Sequence, residues 1–350
     1  VIDSMTPVFL DCDPGHDDAF AILLAVHSGA TRLIGVSTVA GNQSVEKTTR
    51  NAKKVLALAG AANVPVIRGQ DQPLLARIRH DPEIHGDCGL EGSPELDSFA
   101  ASVGVNHTME NDHKILWIER VIDIITSEKD KVTLVATGAL TNIALLLTLC
   151  PKILNHISQI SIMGGAIGIG NRSPVAEFNI LVDPEAAKIV FESGAKVVMI
   201  PLEVTHTALA TETVMKKILD MKTPFAKVAV DLLSFFKSTY KKTFGMNDPP
   251  VHDPCAIAYV IAPEIFTLKH LVVDVITGDH KCKGQTVCDI WRDYYIGRKP
   301  NVYVATKMNV DKFWDMMCGA LRRCDKVTPI NEYVMAQKKI SKGLGLVSRL

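Results

Sequence analysis

The 350-residue chain has no run approaching the ~20 consecutive apolar residues that a membrane-spanning helix needs. It has no charge excess either: Lys plus Arg and Asp plus Glu stand at 38 each, a formal net charge of zero. Proteins that grip phosphate backbones carry a basic surplus, so nucleic acid is not an expected partner and a small neutral ligand fits better. Eight cysteines are present (Cys12, Cys88, Cys150, Cys255, Cys282, Cys288, Cys318 and Cys324), yet none forms a C-x-x-C pair, which argues against a zinc ribbon or a thioredoxin-like motif. Cys150 and Cys318 lie in apolar runs, where free Cys acts as a small hydrophobe, and a reducing compartment is expected. No basic stretch followed by an apolar one opens the sequence, so a secretory leader is not read and the cytoplasm is the first expectation. The final Ser348-Arg349-Leu350 is a conservative variant of the S-K-L peroxisomal address, which makes the peroxisome the alternative. Internal repeats and low-complexity linkers are also missing.

What is there has the composition of an ordinary globular protein, 47% hydrophobic and 22% charged. Short β-branched runs alternate with amphipathic segments, the pattern of a parallel sheet wrapped by helices. Strands are expected at 8–10, 33–38, 64–67, 132–136, 157–163 and 197–200. Helices are expected at 17–26, 45–58, 140–149, 185–192 and 310–322, with Asp183 as N-cap before Pro184. Residues 269–304, punctuated by Gly278, Gly284 and Gly297, suggest an edge hairpin, and the polar stretch 70–111 suggests functional loops. The fold class is therefore α/β: one large domain over 1–350, a doubly wound, mostly parallel sheet with helices on both faces. Its core is placed at about 8–322 and a C-terminal tail at about 328–350.

The strongest chemical signal is Asp11-Cys12-Asp13-Pro14-Gly15-His16-Asp17-Asp18, directly after the first strand. Four carboxylates within eight residues repel one another unless a positive charge sits among them. Oxygen ligands suit a hard cation, calcium or magnesium. An acidic helix N-terminus would explain two of these acids but accounts poorly for four. An EF-hand is excluded, because its sixth and twelfth positions, counted from Asp11, hold His16 and Ile22 rather than Gly and Glu.

The run 11–18 resembles the signature of the inosine–uridine nucleoside hydrolase family. Further blocks match in the same order: Val39-Ala40-Gly41-Asn42-Gln43, Ile84-His85-Gly86, Ala136-Thr137-Gly138-Ala139-Leu140-Thr141-Asn142, Met163-Gly164-Gly165, Ala176-Glu177-Phe178-Asn179 and Val251-His252-Asp253-Pro254. The resemblance implies a calcium ion held by Asp13, Asp18, Asp253 and the main-chain carbonyl of Thr137. It also implies that Asp13 is the general base, activating water that attacks the anomeric carbon of a ribonucleoside. Asp17, Asn42, Asn171, Glu177 and Asn179 are implied to contact the ribose, with Met163 beside it. His252 is implied as the acid that protonates the departing base, His85 as a residue near base and sugar, and Tyr240 as a second donor. His16 receives no catalytic role. Relatives being dimers or tetramers, a homodimer or homotetramer is expected, with inosine, uridine and similar ribonucleosides as substrates and neither nucleic acid nor membrane as partner. Ala139, Ile167 and Phe244-Gly245 depart from the family pattern or fall in variable positions, leaving base preference open.

Two other readings remain at this point. Asp11-Cys12-Asp13 also fits the D-x-D start of a haloacid-dehalogenase-like phosphatase, with Asp11 as nucleophile and magnesium as metal; Asn42, Glu177, Asn179 and His252 would then have no task. The other is a calcium- or nucleoside-binding protein without turnover.

Overall fold

Val8, Phe9, Leu10 and Cys12 are all fully buried, so the first strand is covered on both faces, which requires helices on either side of a parallel sheet. The computed structural model, which describes residues 5–105, 116–278 and 280–347, has that architecture. First come β1 (Thr6–Cys12), α1 (His16–His27), β2 (Thr31–Thr38), α2 (Val45–Leu58) and β3 (Val66–Arg68). Two short helices, α3 (Pro82–His85) and α4 (Pro94–Ser102), interrupt the stretch expected to be loops. Then follow α5 (Trp117–Thr126), β4 (Val132–Ala136), α6 (Thr141–Leu149), β5 (Ile157–Met163), α7 (Phe178–Val182), α8 (Pro184–Phe191) and β6 (Val197–Ile200). Helices α9 (Leu202–Thr205), α10 (Glu212–Leu219), α11 (Pro224–Phe244) and α12 (Pro254–Ile261) precede β7 (Phe266–Leu271), β8 (Val273–Val275), β9 (Thr286–Cys288) and β10 (Val302–Met308). The last elements are α13 (Val310–Asp325) and α14 (Ile330–Val347).

The main sheet runs β3-β2-β1-β4-β5-β6-β10-β7, parallel except for the β10–β7 pair. Strand order reverses between β1 and β4, and open α/β sheets bind ligands at the carboxyl edge of such a switch point. Asp13 follows β1, Asn42 lies beyond β2, Thr137 follows β4 and Met163 ends β5, so four strands deliver residues to one edge. Asp183 caps α8 as expected, accepting from the Ala186 N–H at 3.1 Å. It also accepts from Thr141 and from the Leu74 N–H, tying the 70s loop to the sheet.

One expectation needs correcting, and two stretches hold structure that the sequence left unassigned. Residues 269–304 are not one edge hairpin: β8 and β9 pair in a separate two-stranded sheet, and β10 lies inside the main sheet between β6 and β7. Most of the C-terminal tail is helical, because Ile330 packs fully buried into the core and α14 lies against α11 and α4. Residues 201–265, which the sequence reading left unassigned, hold the long α11 and the short α12 that complete the site. Residues 106–111 of the expected loop region, and Ser348-Arg349-Leu350, lie outside the described residues. Among the described residues no helix is long and apolar enough to cross a membrane, and all eight cysteines are free.

Candidate active site

Pro14 and Gly15 turn the chain sharply off β1 into α1, so Asp13, Asp17 and Asp18 gather at the sheet edge, all buried. Asp18 accepts from the Gly15 N–H at 3.0 Å and from the Thr137 hydroxyl at 2.7 Å. Asp13 Oδ2 accepts from the Asn42 N–H at 2.7 Å, and the Asn42 amide donates to the Asp13 carbonyl at 3.1 Å. The remaining oxygen, Asp13 Oδ1, is buried without a hydrogen-bond partner among the described residues. Two glycines fix that carboxylate. A Cβ at Gly41 would meet Asp13 Oδ2 at 2.1 Å, and one at Gly138 would meet Oδ1 at 2.7 Å.

Asp253 comes from the far end of the chain. Before Pro254 it occupies the position of a helix N-cap, yet its side chain makes no capping bond. The capping role would have been the bland explanation of this residue. Instead, ligand atoms of Asp17, Asp18 and Asp253 lie within 4.8 Å of one another. Burial pushes the carboxyls of Asp13 and Asp253 well above the usual carboxylate range, with the charges of Asp18 and Asp17, respectively, adding to it. Burial, then Asp18, moves Asp17 up to about 7. No lysine or arginine pairs with these acids among the described residues. Buried like charges with a partnerless oxygen are costly unless a cation enters. The donor set, carboxylates plus the Thr137 carbonyl and no thiolate, fits a hard divalent ion.

Above the acids opens a cleft that joins polar side chains to aromatic ones. All eight residues expected to contact substrate line it: Asp17, Asn42, His85, Met163, Asn171, Glu177, Asn179 and Tyr240. Thr137, His252 and Asp253 line it too, while Asp13 and Asp18 lie deeper. The polar half is tightly braced. Asn179 Nδ2 donates to the carbonyls of Thr137 at 2.9 Å and Met163 at 3.1 Å. Glu177 caps α7, accepting from the Asn179, Ile180 and Gly165 N–H groups, and burial lifts its pKa to about 7. Asn171 Oδ1 accepts from the Phe178 N–H at 2.9 Å.

The opposite half is aromatic. Phe236 and Tyr240, one turn apart on α11, line the cleft with Phe244 and Ile84. His252 is held between two hydroxyls, Thr205 Oγ1 at 2.7 Å from Nδ1 and Tyr240 at 2.8 Å from Nε2. Burial keeps its imidazole well below its usual pKa and pushes the Tyr240 phenol up. His85 Nδ1 accepts from the His16 N–H at 3.3 Å, with His16 Nδ1 also 3.2 Å away. His16 in turn reaches the Glu91 carbonyl at 2.7 Å and stacks against Phe235 and Phe236. It does not line the cleft but supports a residue that does.

Asp81, Ile84, Arg172, Phe178 and Phe236 line the cleft without having been singled out in the sequence. Arg172 and Asp81 form an ion pair at its rim, Nε to Oδ2 at 2.8 Å with a second, shorter bond from Nη2 to Oδ1. Asp11, the proposed phosphatase nucleophile, is fully buried beneath Asp13, where Ser37 and Asn142 donate to its Oδ2. Two side-chain donors hold that oxygen, which argues against Asp11 as the nucleophile of a phosphatase.

The family profile described as inosine-uridine preferring nucleoside hydrolase matches residues 8–315. A probable ribonucleoside hydrolase of Dictyostelium discoideum is 43% identical, covering 92% of this chain and 96% of its own length. An inosine-uridine preferring nucleoside hydrolase of Leishmania major is 40% identical over 90% of this chain and 97% of its own. Among solved structures, a purine-preferring ribonucleoside hydrolase from Gardnerella vaginalis superposes with a TM-score of 0.80 at 29% identity, covering 92% of this chain and all of that one.

Proposed function

The chain belongs to the inosine-uridine preferring nucleoside hydrolases, enzymes that hydrolyse the N-glycosidic bond of ribonucleosides, and from that premise we propose that it is a calcium-dependent hydrolase of both purine and pyrimidine ribonucleosides, releasing free base and ribose. The observation that carries this reading is the buried trio Asp17, Asp18 and Asp253, whose ligand atoms lie within 4.8 Å of one another, with Asp13, whose Oδ1 has no partner among the described residues, close enough to feel the charges of Asp18 and Asp17.

Asp13, Asp18, Asp253 and the Thr137 carbonyl would hold the ion. Asp17 stands in the same acid cluster, so one of its oxygens is close to that charge while the residue lines the sugar end. When bound, calcium offsets the negative charge and makes a nearby water more acidic. Asp13 then takes a proton at Oδ1 as the water attacks C1′. The sugar passes through an oxocarbenium-like state, for which the carboxylate-rich floor is electrostatically suited. Asn42, Asn171, Glu177 and Asn179 orient the ribose hydroxyls, and Met163 packs against the ring.

At the other end the base must leave as an anion or be protonated. His252 and Tyr240, hydrogen-bonded to each other on the aromatic side, supply that proton, and His85 contacts base or sugar. Replacing His252 by alanine should therefore lower kcat on inosine by about 10²–10⁴-fold. It should cost far less on p-nitrophenyl riboside, whose leaving group needs no acid. Equal losses on both substrates would remove the acid role.

The whole reading is tested by incubating purified protein with inosine, adenosine, uridine and cytidine, then assaying free base and reducing sugar. Free ribose is expected. Ribose 1-phosphate as the product would make the enzyme a phosphorylase, and silence on all four nucleosides would favour binding without turnover. The eight free cysteines support a cytoplasmic setting, and a homodimer or homotetramer is the proposed assembly.

A further inference from the structure

Among the described residues that line the cleft, Arg172 is the one permanent cation. Its side chain is 20% exposed, against full or nearly full burial for the acids of the floor. The guanidinium carbon stands 5.3 Å from the ring centroid of Phe244, on the aromatic side of the cleft. Asp81 engages one Nε–H and one Nη2–H. A guanidinium has five N–H groups, so three remain; the nearest other acid, Glu83, is 3.9 Å from Nη1, beyond hydrogen-bond reach. A planar, oriented donor fork is thus anchored at the rim of a ligand site with part of its donor capacity unspent.

We propose that Arg172 is a specificity-determining residue, donating to the carbonyl oxygen on the edge of the base remote from the sugar. The inference rests on the nucleosidase reading, which puts the ribose on the acid floor and the base between the aromatic residues and the rim. Hypoxanthine and uracil present a carbonyl on that remote edge, whereas adenine and cytosine present an amino group there. An amino group is a donor and repels the fork. Charge adds to the hydrogen bond: as the glycosidic bond breaks, its electron pair moves onto the base nitrogen and spreads to the carbonyl oxygen, next to the cation. The contact therefore strengthens on the way to the transition state and acts on kcat as well as KM. Asp81 is a positioning residue, presenting the guanidinium edge-on while Phe244 supports its face.

The test compares kcat/KM of wild-type, Arg172→Met and Asp81→Asn enzymes on inosine, adenosine, uridine and cytidine, with folding checked by circular dichroism. Arg172→Met should lose about tenfold to a hundredfold on inosine and uridine, the range for a hydrogen bond to a charged group. Its loss on adenosine and cytidine should stay within about threefold, the scatter of a neutral rim substitution. Asp81→Asn keeps the cation and should retain the inosine-to-adenosine ratio even if all rates fall. Equal losses on the four substrates in Arg172→Met, or a ratio that collapses equally in both variants, would show that the ion pair only closes the rim and overturn the proposal. A wild-type enzyme inactive on every nucleoside would instead overturn the nucleosidase reading on which it stands.

Discussion

Asp13→Ala is expected to lower kcat on inosine by about 10²–10⁴-fold, the usual range for removing a general base, while the protein remains folded. The second half follows from the site's energetics. Asp13 is buried beside Asp18, and its Oδ1 has no partner among the described residues, so deleting the carboxyl removes repulsion and a desolvated group. The cost is one unpaired donor, the Asn42 N–H. Thermal unfolding of the metal-free variant should consequently match or exceed that of the metal-free wild type. A variant that turns over inosine at the wild-type rate would refute the assignment of Asp13 as base. One that fails to fold would show that the carboxyl is structural.

Chelation should abolish activity and also move stability in a pH-dependent way. Without a cation, burial holds the Asp17 carboxyl at about 7 and raises those of Asp13 and Asp253 well above their usual range. A group raised in the folded state stabilises fully below its unfolded value, roughly 4, and that stabilisation is lost as pH climbs through the folded value. Metal-free protein should therefore lose Tm between about pH 5 and about pH 8. A divalent cation would bind only the ionised acids, and a ligand at 100 to 1000 times its Kd adds roughly 3–4 kcal/mol. The gap in Tm with and without calcium should widen with rising pH, by several degrees overall. Identical melting curves across that range would exclude a bound ion as the reason for the acid cluster.

The parallel sheet and most of its strands were legible because buried strands and amphipathic helices carry opposite periodicities, and β4, β5, β6 and α2 fall where the pattern put them. The polar residues of the cleft were legible through short blocks near strand ends, each uninformative alone. Phe236 illustrates what was harder. Four residues before Tyr240 on the same helix it looks like core, and only the packing of α11 over α1 and α3 turns it toward a ligand. Arg172 and Asp81 are far apart in sequence, and their pairing depends on two loops whose approach no local pattern encodes. His16 carries no catalytic role in the sequence because the family it resembles tolerates apolar residues at that place in the motif; its partner, His85, is brought to it by α3. The helix from Ile330 was missed for a related reason, since its buried contacts are with α4 and α11 rather than with its neighbours in sequence.

The acids at the floor of the cleft come from distant parts of the polypeptide: Asp13, Asp17 and Asp18 follow β1, whereas Asp253 arrives only after β6 and α11. A nascent chain leaving the ribosome therefore carries three clustered acids long before the fourth exists. If the proposed ion is held by this set, any captured early would be held weakly, and full affinity would require α12 docked on α1. On the proposed reading, ion affinity would therefore report late assembly: a truncated chain ending before Asp253 has all six strands from β1 to β6 and still lacks a finished receptacle for a cation.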